Sequence, residues 1–188
     1  DEQITMVDDG TLEGGYGTLL FDDEGTPASR TVIIKNGVYN SYLHDLETGA
    51  SMGVPSTGNG RHEDFGRRVW VRMTNTFFEA GDWKLEEMLE DVKFGVLTDK
   101  FVNGMEDPVG GSFEAKAHRG FLIENGRITK PLSAMTLTGK ALDILHTTDA
   151  VGDKVSMDPG TCGKGTEDHV PVSSGGPYCR SQIIVGGD

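Results

Sequence analysis

The chain has 188 residues, a formal net charge of −13 and 36% hydrophobic residues, which is enough for one domain with its own core. The acidic charge argues against a nucleic-acid-binding face, which would be basic. No apolar run reaches the roughly 18 residues that a membrane-spanning helix needs, and no signal-peptide pattern opens the sequence. We therefore expect a soluble protein that binds neither nucleic acid nor membrane.

Glycine and cysteine usage narrow the class of protein further. The 27 glycines are about twice the average usage, which predicts many turns and short strands rather than long helices. Cys162 and Cys179 are expected to remain reduced, as in a cytosolic protein, rather than to form a disulfide. Because the chain starts with Asp1 rather than Met, we expect it to be cut from a longer protein.

The first part of the chain predicts a strand and two acidic turns. Residues 4–7 form a short β-branched run, and the turn cluster at residues 8–10 ends it. A second apolar run, residues 17–21, is broken by the acidic segment 22–27. The spacing of these acids is not that of an EF-hand calcium loop, so the segment is interpreted as a solvated turn.

Two Asn-Gly pairs between apolar runs predict β-hairpins. The pairs are Asn36-Gly37 and Asn125-Gly126. Type I′ turns are expected there, because both central residues of such a turn must tolerate positive φ.

The remaining elements are predicted from hydrophobic periodicity. Residues 69–76 alternate as a strand, and residues 84–92 form an amphipathic helix with Asp82 as its N-cap. Further segments complete the prediction: strands at 94–97, 112–117 and 182–185, a loop at 103–111, and a short helix around Ala141, Leu142 and Leu145. Together these elements predict a mainly β fold (β-rich α+β), with mixed or antiparallel sheets forming a sandwich or barrel-like core and one or two peripheral helices.

A glycine-rich loop is a candidate binding element. Gly58, Asn59, Gly60 and Arg61 combine exposed backbone N–H groups with a cation, which suits a peptide carboxylate, a carbonyl or a phosphate. A surface turn that contains Arg61 by chance fits the sequence equally well. If the loop binds peptide, we expect an extended substrate to pair beside residues 69–76.

Cys162 is the residue with the most distinctive chemical setting. It lies in a glycine-rich loop between Gly160 and Lys164, where a neighbouring ammonium favours the thiolate. The loop is not a P-loop, since Asp158 and Gly165 occupy the positions of the first glycine and the hydroxyl. The sequence contains neither HExxH nor CxxC, and one thiol cannot supply the three or so ligands of a catalytic zinc. A small residue in a turn is the alternative interpretation.

Several segments together resemble the carboxy-terminal part of the TldD/PmbA family of metallopeptidases. The segments are residues 7–10 (Val-Asp-Asp-Gly), 22–27 (Asp-Asp-Glu-Gly-Thr-Pro), 52–53 (Met-Gly), 57–61 (Thr-Gly-Asn-Gly-Arg), 72–76 (Arg-Met-Thr-Asn-Thr) and 162–164 (Cys-Gly-Lys). Each motif is weak alone, but their combined order and spacing cover nearly the whole chain.

The resemblance implies a zinc site that this chain completes. In that family the amino-terminal half carries an HExxxH helix whose histidines bind zinc, and a cysteine of the carboxy-terminal domain is a further ligand. Cys162 matches that cysteine. Residues 1–188 would then form a single carboxy-terminal domain whose HExxxH half is absent. The cysteine favours a TldD-like, catalytic chain over a TldE/PmbA-like partner that lacks the ligands.

The family is cytoplasmic, includes proteins described as modulators of DNA gyrase, and degrades or processes small unfolded peptides. The resemblance implies that zinc activates water, that the glutamate of the absent motif is the general base, and that Cys162 is a metal ligand. No catalytic residue then lies in this chain, which alone is expected to be inactive and to retain zinc poorly. A TldE/PmbA-like subunit or a second copy is the expected partner. The alternatives are a non-catalytic subunit-pairing module, and a phosphate- or nucleotide-binding module that uses residues 58–61.

Overall fold

A computed structural model describes residues 2–187 of the chain. These residues form two compact units. The first, which we call the Cys162 unit, comprises residues 2–80 and 154–177. The second, which we call the hairpin unit, comprises residues 81–153 and 178–187.

Fifteen strands and three short helices make up the described part of the chain. In chain order they are β1 (Met6–Asp9), β2 (Arg30–Lys35), β3 (Val38–Tyr39), α1 (Leu46–Met52), β4 (Gly60–Arg61), β5 (Trp70–Val71), β6 (Asn75–Phe78), α2 (Leu85–Glu90), β7 (Phe94–Glu106), β8 (Ser112–Glu124), β9 (Arg127–Leu132), β10 (Met135–Lys140), α3 (Ala141–Thr147), β11 (Ala150–Val151), β12 (Ser156–Lys164), β13 (Glu167–Gly176), β14 (Cys179–Arg180) and β15 (Ile184–Gly187).

The Cys162 unit is built on a six-stranded sheet with the order β12-β13-β6-β1-β2-β3. Neighbouring strands are antiparallel except β13 and β6, which run parallel. Strands β4 and β5 form a separate two-stranded sheet. Val7, Val170 and Val172 are buried in this unit, together with many polar side chains. Because buried polar groups must be hydrogen-bonded, this unit depends on internal polar contacts.

The hairpin unit is built on a five-stranded sheet. Strands β15, β10, β8 and β7 follow one another, and β9 also pairs with β8. Its buried apolar side chains include Ala117, Ile123, Met135 and Leu137. The short strands β11 and β14 pair separately in the same unit.

The mainly β prediction and both predicted hairpins are confirmed. Asn36 and Gly37 have φ values of 49° and 75°, and Asn125 and Gly126 have φ values of 50° and 77°. These positive angles are what a type I′ turn requires. The described strands form open sheets without a closed barrel, and no helix in residues 2–187 is long and apolar enough to cross a membrane.

The predictions of a turn at residues 8–10 and of a continuous strand at residues 69–76 are wrong, and polar residues are buried at both places. Asp8 and Asp9 lie inside β1 and are buried. The predicted strand at residues 69–76 is interrupted between β5 and β6, and Arg72 and Thr74 are buried in the interruption. Tertiary hydrogen bonds therefore override the local polarity pattern.

Smaller differences concern the ends of elements and one missed helix. Helix α2 has Lys84 rather than Asp82 as its N-cap. Strand β7 extends to Glu106 and so includes part of the predicted loop at residues 103–111. Helix α1 was missed, although the Asp45 side chain caps it by accepting a hydrogen bond from the Thr48 amide.

Candidate functional site

Cys162 lies in strand β12, not in a loop, so the sequence prediction of a glycine loop is wrong. Its register partner is Val170 in β13, and the hairpin turn comes later, at residues 165–166. The register shifts between Cys162 and Lys164, because two steps along β12 face three steps along β13, from Val170 to Glu167. The extra residue therefore lies in β13, opposite the segment that carries Cys162. Strand β12 is at the edge of the six-stranded sheet, and Cys162 is partly exposed there.

The buried guanidinium of Arg72 holds the backbone at this register shift. Its Nη1 atom donates a hydrogen bond of 2.7 Å to the Cys162 carbonyl, and its Nη2 atom donates one of 3.2 Å to the Lys164 carbonyl. Nη2 also lies 3.3 Å from Oε2 of Glu167, and the two side chains are only 0% and 2% exposed. The positions of both carbonyls are thus fixed by one fully buried cation.

Lys164, predicted to act on the thiol, contacts strand β5. Its Nζ atom donates a hydrogen bond of 3.0 Å to the Val71 carbonyl and lies 5.8 Å from the centre of the Trp70 ring. These contacts tie the end of the β12–β13 hairpin to the small β4–β5 sheet.

Arg61 is buried near Cys162, so the structure brings together two of the residues that the sequence singled out. Arg61 is 8% exposed, and its Nη1 atom donates a hydrogen bond of 2.8 Å to the Met73 carbonyl. Burial lowers the pKa of Arg61, whereas the negative charges of Asp23, Asp8 and the Cys162 thiolate oppose that shift.

The backbone amides of Gly58 and Gly60 in the glycine-rich loop already donate hydrogen bonds to side chains of the protein. The Gly58 amide donates to Oγ of Ser56 at 3.2 Å, and the Gly60 amide donates to Oδ2 of Asp22 at 2.9 Å. Asn59 is 2% exposed. The prediction of exposed backbone N–H groups is therefore wrong for Gly58 and Gly60, because neighbouring side chains already accept from them.

Asp8 is the centre of the polar network beneath this loop. Its Oδ1 atom accepts from the Thr74 amide at 2.7 Å and from Oγ1 of Thr76 at 2.6 Å. Its Oδ2 atom accepts from Oγ1 of Thr74 at 2.7 Å and from Nδ2 of Asn59 at 2.8 Å. Asn59 Nδ2 also donates to the Arg72 carbonyl at 3.0 Å. A continuous path of contacts thus leads from Asp8 through Asn59 and Arg72 to Cys162.

The acidic segment 22–27 contains the expected turn, with Asp23, Gly25 and Pro27 exposed, but Asp22 within it has a structural role. Asp22 is 6% exposed. Its Oδ1 atom accepts from the amides of Glu24 and Thr26 at 3.0 and 2.8 Å, while Oδ2 accepts from the Gly60 amide. The segment therefore orders the glycine-rich loop.

The sequence drew attention to the segments that contain Asp8, Arg72 and Asp22 but missed the roles of these residues. One signal was present: Arg72 and Thr74 alternate with apolar residues, so they share one face of the predicted strand. That face, with Arg72 and Thr74, is buried.

The described residues do not form a complete metal site. Among residues 2–187, no group of three or more His, Cys, Asp or Glu side chains is placed to hold a metal ion. Cys162 can offer one thiolate. No disulfide occurs within these residues, and burial raises the pKa of the Cys179 thiol.

Comparison with known families decides the class of the protein. Residues 1–187 match the family described as the PmbA/TldA metallopeptidase C-terminal domain. The chain belongs to this family. The family to which the sequence resemblance pointed is therefore confirmed.

Curated relatives of the chain are metalloproteases. A metalloprotease from Methanocaldococcus jannaschii is 43% identical over 184 residues, which are 98% of this chain and 40% of that protein. A metalloprotease TldD homolog from Haemophilus influenzae is 39% identical over 186 residues, 97% of this chain and 38% of that protein. The chain thus spans about 40% of the length of these relatives.

Solved structures share the fold. TldE from Thermococcus kodakarensis superposes with a TM-score of 0.79 at 22% identity, covering 100% of this chain and 40% of that chain. A proposed modulator of DNA gyrase from Thermotoga maritima superposes with a TM-score of 0.78 at 25% identity, with the same coverage of both chains. The likeness to TldE shows the fold alone.

Proposed function

We propose that this chain is the carboxy-terminal domain of a cytoplasmic zinc metallopeptidase that degrades or processes small unfolded peptides, and that Cys162 is one of its zinc ligands. The observation that carries the proposal is the setting of Cys162: a partly exposed thiol at a sheet edge, on a backbone held by a buried guanidinium. A relative from Saccharolobus solfataricus, 30% identical over 189 residues, is named a zinc metalloprotease.

The residues of this chain suit part of a zinc site. Thiolate sulfur is a ligand that zinc prefers, and a catalytic zinc has about three protein ligands. Cys162 supplies one, so the others would come from outside residues 2–187; the sequence resemblance implies the histidines of an HExxxH helix. When bound, zinc supplies a Lewis acid that polarises the peptide carbonyl and activates water. By itself, the chain is expected to retain zinc poorly and to hydrolyse nothing.

The parts of this chain have distinct roles in the proposal. Cys162 binds the metal. Residues 58–61 are the proposed peptide-binding element, although Arg61 is 8% exposed and Gly58, Asn59 and Gly60 are hydrogen-bonded within the protein. Replacing Arg61 by alanine in the complete protein should raise KM or lower kcat without unfolding it. Arg119→Ala, a change on the exposed face of the hairpin unit, is the matched control.

An extended peptide needs a strand edge with free backbone groups. Strand β6 has β1 on one side and β13 on the other, so the predicted pairing beside residues 69–76 is wrong for β6. Strand β12 is an edge strand and carries Cys162. We therefore assign the backbone pairing of the peptide to β12, which would place the peptide next to the metal ligand.

Two cysteine variants of the complete protein test the zinc assignment. Cys162→Ala should abolish zinc retention and peptidase activity, whereas Cys179→Ala should leave both nearly intact. Both changes remove a thiol of the same size, but only Cys162 lies at the register shift between β12 and β13. Metal analysis of the purified variants provides the comparison. Equal zinc content in the two variants would refute the assignment.

The same experiment separates the proposal from a non-catalytic pairing module, since a module of that kind would bind no zinc in either variant or in the wild type. For the catalytic protein, a TldE/PmbA-like subunit or a second copy is the proposed partner. A phosphate-binding role for residues 58–61 is less well supported, because Asp22 and Ser56 already accept hydrogen bonds from the amides of that loop.

A further inference from the structure

We propose that Arg72 is a positioning residue that aims the Cys162 thiol at the metal, with Glu167 as its counterion. This inference rests on the proposed function, because it explains how that zinc ligand is held. Arg72 is 90 residues from Cys162 in the sequence, yet its Nη1 atom lies 2.7 Å from the Cys162 carbonyl oxygen.

The guanidinium is suited to fixing the backbone at this register shift. Its two terminal nitrogens donate to the carbonyls of Cys162 and Lys164, which lie on either side of the register shift between β12 and β13. A planar guanidinium has its donors in a fixed fork, whereas an ammonium is a single point charge. The two carbonyls are thereby held at a set spacing, and because a side chain leaves a strand in a direction set by the local backbone, this fixes the direction of the Cys162 side chain.

The backbone of Arg72 and the carboxylate of its counterion are both hydrogen-bonded to other segments. The Arg72 amide donates to the Asn59 carbonyl at 2.9 Å, and the Arg72 carbonyl accepts from Asn59 Nδ2 at 3.0 Å. Oε2 of Glu167 lies 3.3 Å from Nη2 and also accepts from the Glu63 amide at 3.0 Å. Both ends of the ion pair are therefore attached to the backbone of other segments.

Stability alone is a poor explanation for this ion pair. Both side chains are almost completely buried, and well-packed apolar residues often match or exceed the stability of a buried ion pair. What apolar residues cannot do is hold two carbonyl oxygens in a fixed geometry. A metal ligand must be kept within about 0.5 Å of its productive position, and supporting hydrogen bonds provide that precision.

The test uses the complete protein with Arg72→Lys, which keeps the charge but removes the fork. Zinc affinity is measured by competition with a chelator, and the cobalt-substituted protein is examined for its thiolate-to-metal absorption. We expect zinc affinity to fall about 10- to 100-fold, the range for residues that support metal ligands, and the absorption to weaken. The folded state is checked by circular dichroism. Arg119→Lys, which alters an exposed ion pair with Asp99, should leave affinity and absorption unchanged.

Cys162→Ala is measured in parallel, so that the zinc-ligand role of Cys162 and the positioning role of Arg72 are tested separately. Loss of zinc in Cys162→Ala together with wild-type affinity and absorption in Arg72→Lys would overturn the positioning role and leave the zinc ligand intact. Retention of zinc in Cys162→Ala would overturn both. If Arg72→Lys does not fold, Glu167→Gln is tested in its place. We expect this variant to lose zinc affinity several-fold. An unchanged zinc affinity would count against the positioning role of Arg72.

Discussion

Replacing Asp8 by asparagine should strongly destabilise the Cys162 unit. Asp8 is 1% exposed, and its two carboxylate oxygens accept hydrogen bonds from Thr74 (amide and hydroxyl), Thr76 and Asn59. These partners come from segments 51 to 68 residues away in sequence. The substitution keeps the size of the side chain and changes only its charge and its ability to accept hydrogen bonds.

The magnitude follows from the geometry. Asparagine converts one oxygen into an NH₂ group, which cannot accept. Whichever oxygen is replaced, two donors lose their acceptor, and one of them is an N–H group, from Thr74 or from Asn59, that cannot rotate to accept instead. Hydrogen bonds to a charged group contribute about 1.5–3 kcal/mol each, so the expected loss in the free energy of unfolding is about 3–6 kcal/mol.

Urea denaturation with linear extrapolation measures the change. Asp23→Asn is the matched control, since the Asp23 side chain is 38% exposed and accepts one hydrogen bond, from the His62 amide. Its effect should stay within about 1 kcal/mol, as for other exposed charges. If Asp8→Asn lowered the free energy of unfolding no more than this control, the hydrogen bonds to Asp8 would not contribute the expected stability.

Three further predictions concern local structure. Gly17→Ala would place a Cβ against the Thr74 carbonyl and should lower stability by about 1–3 kcal/mol. Gly66→Ala is the control and should be nearly neutral, because its Cβ would meet no neighbour within 4 Å. Thermal denaturation of the two variants compares their stabilities. Gly37→Ala forces a φ of 75° on a residue with a Cβ and should cost about 1–2 kcal/mol in a urea titration, and a neutral result would contradict the assigned turn. Asp45→Ala removes the cap of α1 and should lower the free energy of unfolding by about 1 kcal/mol. Burial of Asp45 opposes its charged form, but hydrogen bonds from the first turn of α1 lower its pKa below the ordinary 3.8. The stabilisation by the charged side chain is therefore complete well above pH 3.8, and the difference in the free energy of unfolding between wild type and variant should shrink as the pH falls below that value.

The sequence by itself determined the features that depend on neighbouring residues. The Asn-Gly pairs predicted both hairpins, because positive φ is a property of the turn residues themselves. The periodicity around Ala141 predicted α3, and the short runs with many glycines predicted a mainly β fold. The motifs, taken in combination, also indicated the family that the comparisons confirmed.

Only the tertiary structure decided which polar residues are buried. In the sequence, Asp8 and Asp22 lie in acidic, turn-forming segments and Arg72 is a charged residue between Val71 and Met73, so none of the three looks like a buried residue. They are buried because their hydrogen-bond partners arrive from distant segments, such as Cys162, which is 90 residues from Arg72. Likewise, β13 pairs in parallel with β6 across about a hundred residues of chain. Local propensity carries no information about such pairings, because the free energy of burying a polar group depends on partners that only the fold supplies.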